Sequence, residues 1–360
     1  MTTARHAAES QLAAVTYAGP EWMGKANWHS VAETYLFKAV GKPGLYALTR
    51  LMLAVNRRFP DALLNRRYDG LERFMGWVPG VAGTRTERVQ LPNCPAEWTW
   101  NAKNESGPGS SADAPVVIYF HGSAFIALGI NSHRPLVSHI ARDSGARALS
   151  VGYRLCPRNL VEDAVADGVD AYRYVLSQGV DPDNIVLAGD SAGGFLAAMT
   201  AIAVRDQGLT PPAGCVLISA ATSNDMEPKY AVGKRVGDAM FPVDFLRMIN
   251  EVFLLRNGAR DPGPCPADAD LTGLGPFLLQ VGSQEALRPD SELLAERLVA
   301  AGVPVRLQIF DRAIHVFQVF AMTNPDARRA VGEITEFIKV LPGLAKARRR
   351  PDEVATGLGS

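Results

Sequence analysis

Six apolar runs, each separated from the next by a stretch with helical spacing, limit this chain more than any other feature. The runs are "PVVIYF", "RALSVGYR", "NIVLAGD", "GCVLISA", "PFLLQVG" and "VPVRLQIF". Each is short and nearly continuous in apolar residues, as a strand buried on both faces must be. Between or after them, Arg134 to Ser144, Val161 to Ser177, Ala192 to Arg205, Ser291 to Ala301 and Asp326 to Leu341 carry apolar residues three and four apart. Strands alternating with helices predict an α/β fold: a mostly parallel central sheet with helices on both faces.

The flanks depart from that rhythm. Residues 1 to about 80 read as helical, broken at Gly-Pro, Lys-Pro and Phe-Pro. "ERVQL" and "EWTWNA" read as two short strands around a Pro-Asn-Cys-Pro turn, and "NESGPGSSADAP" as an exposed loop. Thr222 to Asp270 interrupts the alternation with a helix of its own, "PVDFLRMINEVFLL". The expected organisation is an N-terminal helical cap segment over 1–85, a first core part over 86–221 and an inserted cap segment over 222–270. A second core part follows over 271–343, with a flexible tail at 344–360. Ligands bind at the C-terminal ends of parallel strands, so a cap there would enclose a pocket.

Composition excludes several function classes. Among 360 residues, 47% are hydrophobic, and 37 Lys+Arg balance 37 Asp+Glu. A net charge of +0 argues against nucleic acid as a partner. Cys94, Cys156, Cys215 and Cys265 are scattered, which suggests neither a zinc site nor a disulfide framework and fits reduced thiols in a cytoplasmic protein. The first residues lack the apolar region of a signal peptide. "GLYALTRLMLAVNRRF" is interrupted by Arg50 and is shorter than the roughly 20 apolar residues of a membrane span. It reads as an amphipathic helix, on a protein surface in preference to a lipid one. No stable membrane insertion, metal or cofactor is expected.

The chemistry centres on Gly189-Asp190-Ser191-Ala192-Gly193, a G-x-S-x-G pentapeptide between a strand and a helix. A turn this tight needs glycines two positions either side of the serine. The helix behind it stabilises developing negative charge, and its first amide, that of Ala192, can donate to an oxyanion. A serine needs a base, and only His315 of the six histidines follows Ser191. The loop after "FLLQVG" offers Gln284, Glu285 and Asp290 as the third member. Gln284 is neutral and cannot stabilise an imidazolium. Glu285 ranks first. Asp290 ranks second, because it could instead cap the following helix. "YFHGSAF" follows the first buried strand, so Gly122 and Ser123 amides join Ala192 as oxyanion donors, each worth roughly 3 kcal/mol in a transition state. His121 is better placed to hold that loop by hydrogen bonds. Phe125 and Asp190, with Met240, Phe241 and Phe245 of the insertion, are the expected substrate contacts, and Ile249, Phe253 and the Leu45 to Val55 segment would extend an apolar acyl pocket.

These pieces together resemble the hormone-sensitive-lipase-like esterases, the bacterial carboxylesterase group of the α/β-hydrolase superfamily. "YRLCPRN" with "DGVDAYRYV" resembles the family's Tyr-Arg-Leu-Ala-Pro-Glu segment and the helix after it. "DADLTGLGPFLLQVGSQE" resembles its approach to the acid, and "AIHVFQ" its His-x-Phe ending. The resemblance implies an α/β-hydrolase fold with a helical cap. It also implies a serine carboxylesterase acting on short-to-medium acyl esters through Ser191, His315 and the acid. Amidase or lactonase activity, or a non-catalytic binding protein on the same fold, are the alternatives; retention of His315 argues against the last. Three departures stand out. The family's His-Gly-Gly-Gly is His121-Gly122-Ser123-Ala124 here, which narrows the room beside the oxyanion hole. The family acid is often Asp, and its variant patterns align with either Glu285 or Gln284. Arg158, Leu160 and Glu162 replace a Glu and two prolines, so ion pairs around that loop are expected to differ. The strand "VPVRLQIF" could form a sheet edge, and pairing there would make a homodimer.

Overall fold

A computed structural model describes residues 17–58, 70–103, 114–249 and 265–349, with 255–256, 259–260 and 263 between the last two stretches. Its centre is a nine-stranded sheet. In chain order the strands are β1 (Glu21–Trp22), β2 (Thr84–Gln90), β3 (Pro95–Asn101), β4 (Val116–Phe120), β5 (Arg147–Val151), β6 (Ile185–Asp190) and β7 (Gly214–Ile218). A separate two-stranded ribbon, β8 (Leu255–Arg256) and β9 (Ala259–Arg260), comes before β10 (Phe277–Gly282) and β11 (Val305–Phe310). The sheet order is β1-β11-β10-β7-β6-β4-β5-β3-β2, with every strand running the same way except β3, which is antiparallel to both neighbours. The α/β expectation holds, and all six apolar runs are strands of this sheet.

The helices are α1 (Trp28–Leu36), α2 (Lys42–Arg58), α3 (Gly70–Phe74), α4 (Ile130–Ser144), α5 (Val161–Ser177), α6 (Ala192–Asp206), α7 (Glu227–Val236), α8 (Val243–Met248), α9 (Arg288–Ala300) and α10 (Pro325–Arg349). A π turn, Phe37–Gly41, joins α1 to α2. Successive residues of β4 show how the layers form. Ile118 and Phe120 enter one apolar cluster, and Val117 and Tyr119 enter the other on the opposite face, the period-2 alternation of a pleated strand. Every residue of β4 is buried, so no polar side chain is tolerated without a partner.

Three expectations change. β11 is not an edge: β1 lies beside it in parallel register, Glu21 opposite Gln308, and Arg306 forks onto the Glu21 carboxylate at 2.9 and 2.8 Å. The N-terminal segment therefore contributes a strand to the core as well as helices. Its first helix starts at an Asn27 cap, whose Oδ1 accepts from the His29 and Ser30 amides, and Asp326 at the start of α10 accepts from the Asn27 amide. The insertion holds a further helix, α7, and α8 is the described part of the helix expected over "PVDFLRMINEVFLL"; Phe253 lies outside the described residues. α10 runs on to Arg349, so the chain is still helical past 344; residues 350–360 lie outside the described ones. All four cysteines are buried and none is in a disulfide. No described helix is long and apolar enough to cross a membrane.

Candidate active site

Four neighbouring strands each deliver one residue to the C-terminal edge of the sheet. Ser191 follows β6, Ser219 follows β7, Glu285 follows β10 and His315 follows β11. Ser191 sits at φ 53°, ψ −119°, a left-handed backbone that a non-glycine residue adopts only when its surroundings enforce it. Two hydrogen bonds to the end of β7 and the loop after it do so: its amide donates to Ile218 O at 2.8 Å, and its carbonyl accepts from Ala221 N at 3.2 Å. The glycines are required by space. A Cβ on Gly189 would lie 2.3 Å from Gly193 O, and one on Gly193 would lie 2.0 Å from Phe120 O. Ala192 is the first residue of α6, so its amide belongs to the helix turn that has no intrahelical acceptor.

Glu285 and His315 are in contact: His315 Nδ1 lies 2.8 Å from Glu285 Oε2, and both side chains are buried. The other carboxylate oxygen, Oε1, accepts from the Gly282 amide at 2.6 Å and from Ser219 Oγ at 2.8 Å. Ser219 Oγ in turn accepts from the amide of Val316, the residue after the histidine, at 3.3 Å. The buried carboxylate thus has a donor on each side, as a charge out of water requires. The other two candidates for the third member are engaged elsewhere. Asp290 forms a buried ion pair with Lys229 of α7 at 2.8 Å and accepts from Ser223 N. Burial pushes its carboxyl up despite the lysine. Gln284 Oε1 accepts from Lys38 of the N-terminal segment at 3.2 Å.

The loop after β4 contains three consecutive non-glycine residues at positive φ: Ser123 at 93°, Ala124 at 55° and Phe125 at 65°. It is held against the elbow by Asp190, which corrects two expectations. Asp190 does not face a substrate. It is buried and accepts from Tyr119 Oη at 2.8 Å and from the Gly122 amide at 3.1 Å, and it lies 3.3 Å from His133 Nε2. The Gly122 amide is therefore spent inside the protein and is not an oxyanion donor. Burial pushes the Asp190 carboxyl up, but the His133 charge and the hydrogen bonds from His133 and Tyr119 outweigh it and leave it below its usual value. Burial likewise pulls His133 down, and the neighbouring Asp190 more than reverses this. His121 stacks on Tyr153 with ring centroids 4.2 Å apart, and its Nδ1 contacts Gly122 O at 2.9 Å. Burial and nearby His133 lower its pKa to about 3, so it is neutral and serves to hold the loop.

The remaining expected substrate contacts divide. Phe125 is buried edge-on to Phe195 in the core, which corrects its assignment to a substrate surface. Phe241 lies edge-on to His315, with centroids 4.7 Å apart, and Phe245 stacks on Phe241 at 5.3 Å. Met240, half-buried, packs against the second apolar cluster, and Ile249 is buried in the first. Asp238 escaped the sequence reading altogether. Its Oδ1 accepts from the Met240 and Phe241 amides, and its Oδ2 accepts from the amide of Ala286, next to Glu285. Ser219 and His133 escaped it too. Their partners are 66 and 57 positions away in sequence, and no local spacing announces them. Around the loop with Arg158, Arg154 pairs with Asp167 at 2.9 Å and Asp163 at 3.3 Å. Among the described residues no group of three or more acidic, His or Cys side chains could hold a metal.

A fold of this topology with a serine on a strained strand-to-helix turn and a His–carboxylate pair two and three strands away defines the α/β hydrolases as a class. A family model described as alpha/beta hydrolase fold matches residues 117–319. The chain is 34% identical over 255 residues to an acetyl-hydrolase of Streptomyces hygroscopicus, covering 71% of this chain and 83% of that one. It is 35% identical over 261 residues to esterase LipU of Mycobacterium tuberculosis, covering 71% and 86%. Among solved structures, an esterase from the bacterial hormone-sensitive lipase family aligns with a TM-score of 0.68 at 34% identity, covering 75% of this chain and 89% of that one. The esterase EstE5 aligns with a TM-score of 0.72 at 30% identity, covering 88% and 99%. The chain belongs to the α/β-hydrolase family, within its bacterial hormone-sensitive-lipase-like branch.

Proposed function

We propose that Ser191, His315 and Glu285 form a catalytic triad that hydrolyses carboxylic esters. The chain is a serine carboxylesterase. The observation that carries this reading is the 2.8 Å contact between His315 Nδ1 and Glu285, at the same sheet edge as a serine held at φ 53°. Glu285 fixes the imidazole with its proton on Nδ1, leaving Nε2 as the base. Ser191 Oγ attacks the ester carbonyl carbon as Nε2 takes its proton. The carbonyl oxygen becomes an oxyanion, met by the amides of Ala192 and Ser123. Collapse of the tetrahedral intermediate breaks the bond to the alcohol, which leaves with the proton from His315. Water then attacks the acyl-enzyme, again with His315 as base, and frees the acid and Ser191.

Residues of the N-terminal segment and the insertion act as the cap. Lys38 contacts Gln284, Lys42 Nζ donates to Asp238 O at 2.6 Å, and Arg50 lies 4.0 Å from Asp244. The stacked Phe241 and Phe245 beside His315 favour apolar acyl groups of short to medium length. A fluorophosphonate probe tests the assignment. Stoichiometric labelling of Ser191, lost in Ser191→Ala, is expected; a folded protein whose Ser191 stays unmodified would refute it.

A further inference from the structure

Ser219 follows β7 directly, and the reaction as written above gives it no part. It is fully buried and sits at φ 47°, in the left-handed region where glycine is the ordinary occupant. A buried serine at such a backbone costs strain and also the desolvation of a hydroxyl. A glycine there would carry neither cost, so the hydroxyl is what sets this residue apart. Its hydrogen bonds have one possible polarity. A carboxylate oxygen accepts and cannot donate, so the single Ser219 proton points at Glu285 Oε1, 2.8 Å away. The lone pairs are left for the amide of Val316, at 3.3 Å. Val316 follows His315 and is itself held at φ 53°. One hydroxyl therefore joins the carboxylate to the backbone of the histidine loop.

The Gly282 amide, at 2.6 Å, is the second donor to Oε1. Two donors from different segments fix the plane of the carboxylate, where one would leave it free to turn. Oε2 then has a set direction toward His315 Nδ1. The backbone around Ser219 also holds the nucleophile, because Ile218 O and Ala221 N bond the Ser191 main chain, and the Ser219 amide donates to Gln280 O of β10 at 2.7 Å. We infer that Ser219 is a positioning residue of the esterase, whose hydroxyl sets the Glu285 carboxylate against His315 and ties both to the turn that carries Ser191. This rests on the triad proposed above. The Ser219 hydroxyl is engaged by Glu285 and Val316, so its loss acts through Glu285, on turnover and not on substrate binding.

Two variants of the full chain test this, with kcat, KM and melting temperature measured for each. Ser219→Ala and Ser219→Gly both remove the hydroxyl, but glycine relieves the left-handed strain and alanine keeps it. A serine with a merely structural role would make activity follow stability. Positioning predicts that kcat falls about 10- to 100-fold in both variants, whatever their melting temperatures, since a misplacement of about 1 Å costs on the order of 10²-fold. KM should stay within about twofold of wild type. A double variant identifies the route. Glu285→Gln removes the carboxylate that Ser219 orients, so adding Ser219→Ala to it should lower kcat by less than about threefold more. The inference is overturned if either folded single variant keeps kcat within about threefold of wild type, or if the loss appears in KM. It is equally overturned if the Ser219→Ala loss adds in full to that of Glu285→Gln. Near-normal turnover in Glu285→Gln alone would sink the triad itself, and this role of Ser219 with it, so the two failures read differently.

Discussion

Replacing Glu285 by glutamine should disable the base through hydrogen-bond polarity alone. The carboxylate oxygen Oε1 accepts from two donors, the Gly282 amide and Ser219 Oγ, while Oε2 faces His315 Nδ1. A glutamine has one oxygen and one NH2 group. The backbone N–H of Gly282 cannot turn away, so the oxygen must occupy the Oε1 position and the NH2 must face the histidine. His315 then accepts at Nδ1 and carries its proton on Nε2, the atom that has to take the proton from Ser191. An imidazole locked in the wrong tautomer costs about 10⁴-fold in kcat, or about 5.5 kcal/mol of barrier at 1.36 kcal/mol per decade. The variant keeps the shape of the side chain and both Oε1 hydrogen bonds, so KM and the melting temperature should change little. Steady-state hydrolysis of a chromogenic short-chain ester at pH 7, with thermal melting as the folding control, measures this. Turnover within tenfold of wild type would refute the reasoning. Loss of turnover in a well-folded Asp290→Asn variant instead would move the acid to Asp290.

Two further perturbations act away from the triad. His133→Ala removes the imidazole beside Asp190, and with it the brace that holds the Gly122 end of the loop after β4; kcat should fall between about 10- and 1000-fold, the upper figure being loss of a whole oxyanion donor, with KM nearly constant. The folded-state pKa of His133 lies above its ordinary 6.5, so the stability it contributes is complete below that value and is lost as pH rises through the folded pKa. The facing groups are Asp190, Glu72 and neutral His121. Melting temperature measured upward from pH 6.5 should therefore decline in the wild type and lose that component in the variant; identical profiles would remove His133 from the account. Lys229→Met strands Asp290 in the interior, which should cost about 3–5 kcal/mol. Chemical denaturation reads the loss, and Lys229→Met/Asp290→Leu should recover most of it.

The parts of this molecule that were legible in the sequence are those encoded by period and local spacing. β4, β6 and β7 announce themselves as apolar runs, and Ser191 announces itself by the glycines that its turn cannot do without. The pairing of Glu285 with His315 was readable because each follows a strand in a fixed order. What stayed hidden depends on contacts between distant segments. β1 is two residues long, too short to show any alternation, and exists because Arg306 and β11 receive it. The engagement of the Gly122 amide follows from where Asp190 points, and that is set by Tyr119 and His133 on other elements. Phe125 looked like a pocket residue because it adjoins the oxyanion loop, but its own left-handed backbone turns the ring into the core.

Asp238 has a consequence for how selectivity will be expressed. One carboxylate ties the backbone of Phe241 to the residue after Glu285, while its carbonyl holds Lys42 of the N-terminal segment. Cap and acid loop therefore share a fastening. A substrate too large for the pocket cannot lift Phe241 without pulling on Ala286, and so on the seat of Glu285. Oversized esters should then be bound and processed slowly, and discrimination against them will appear in turnover as much as in affinity.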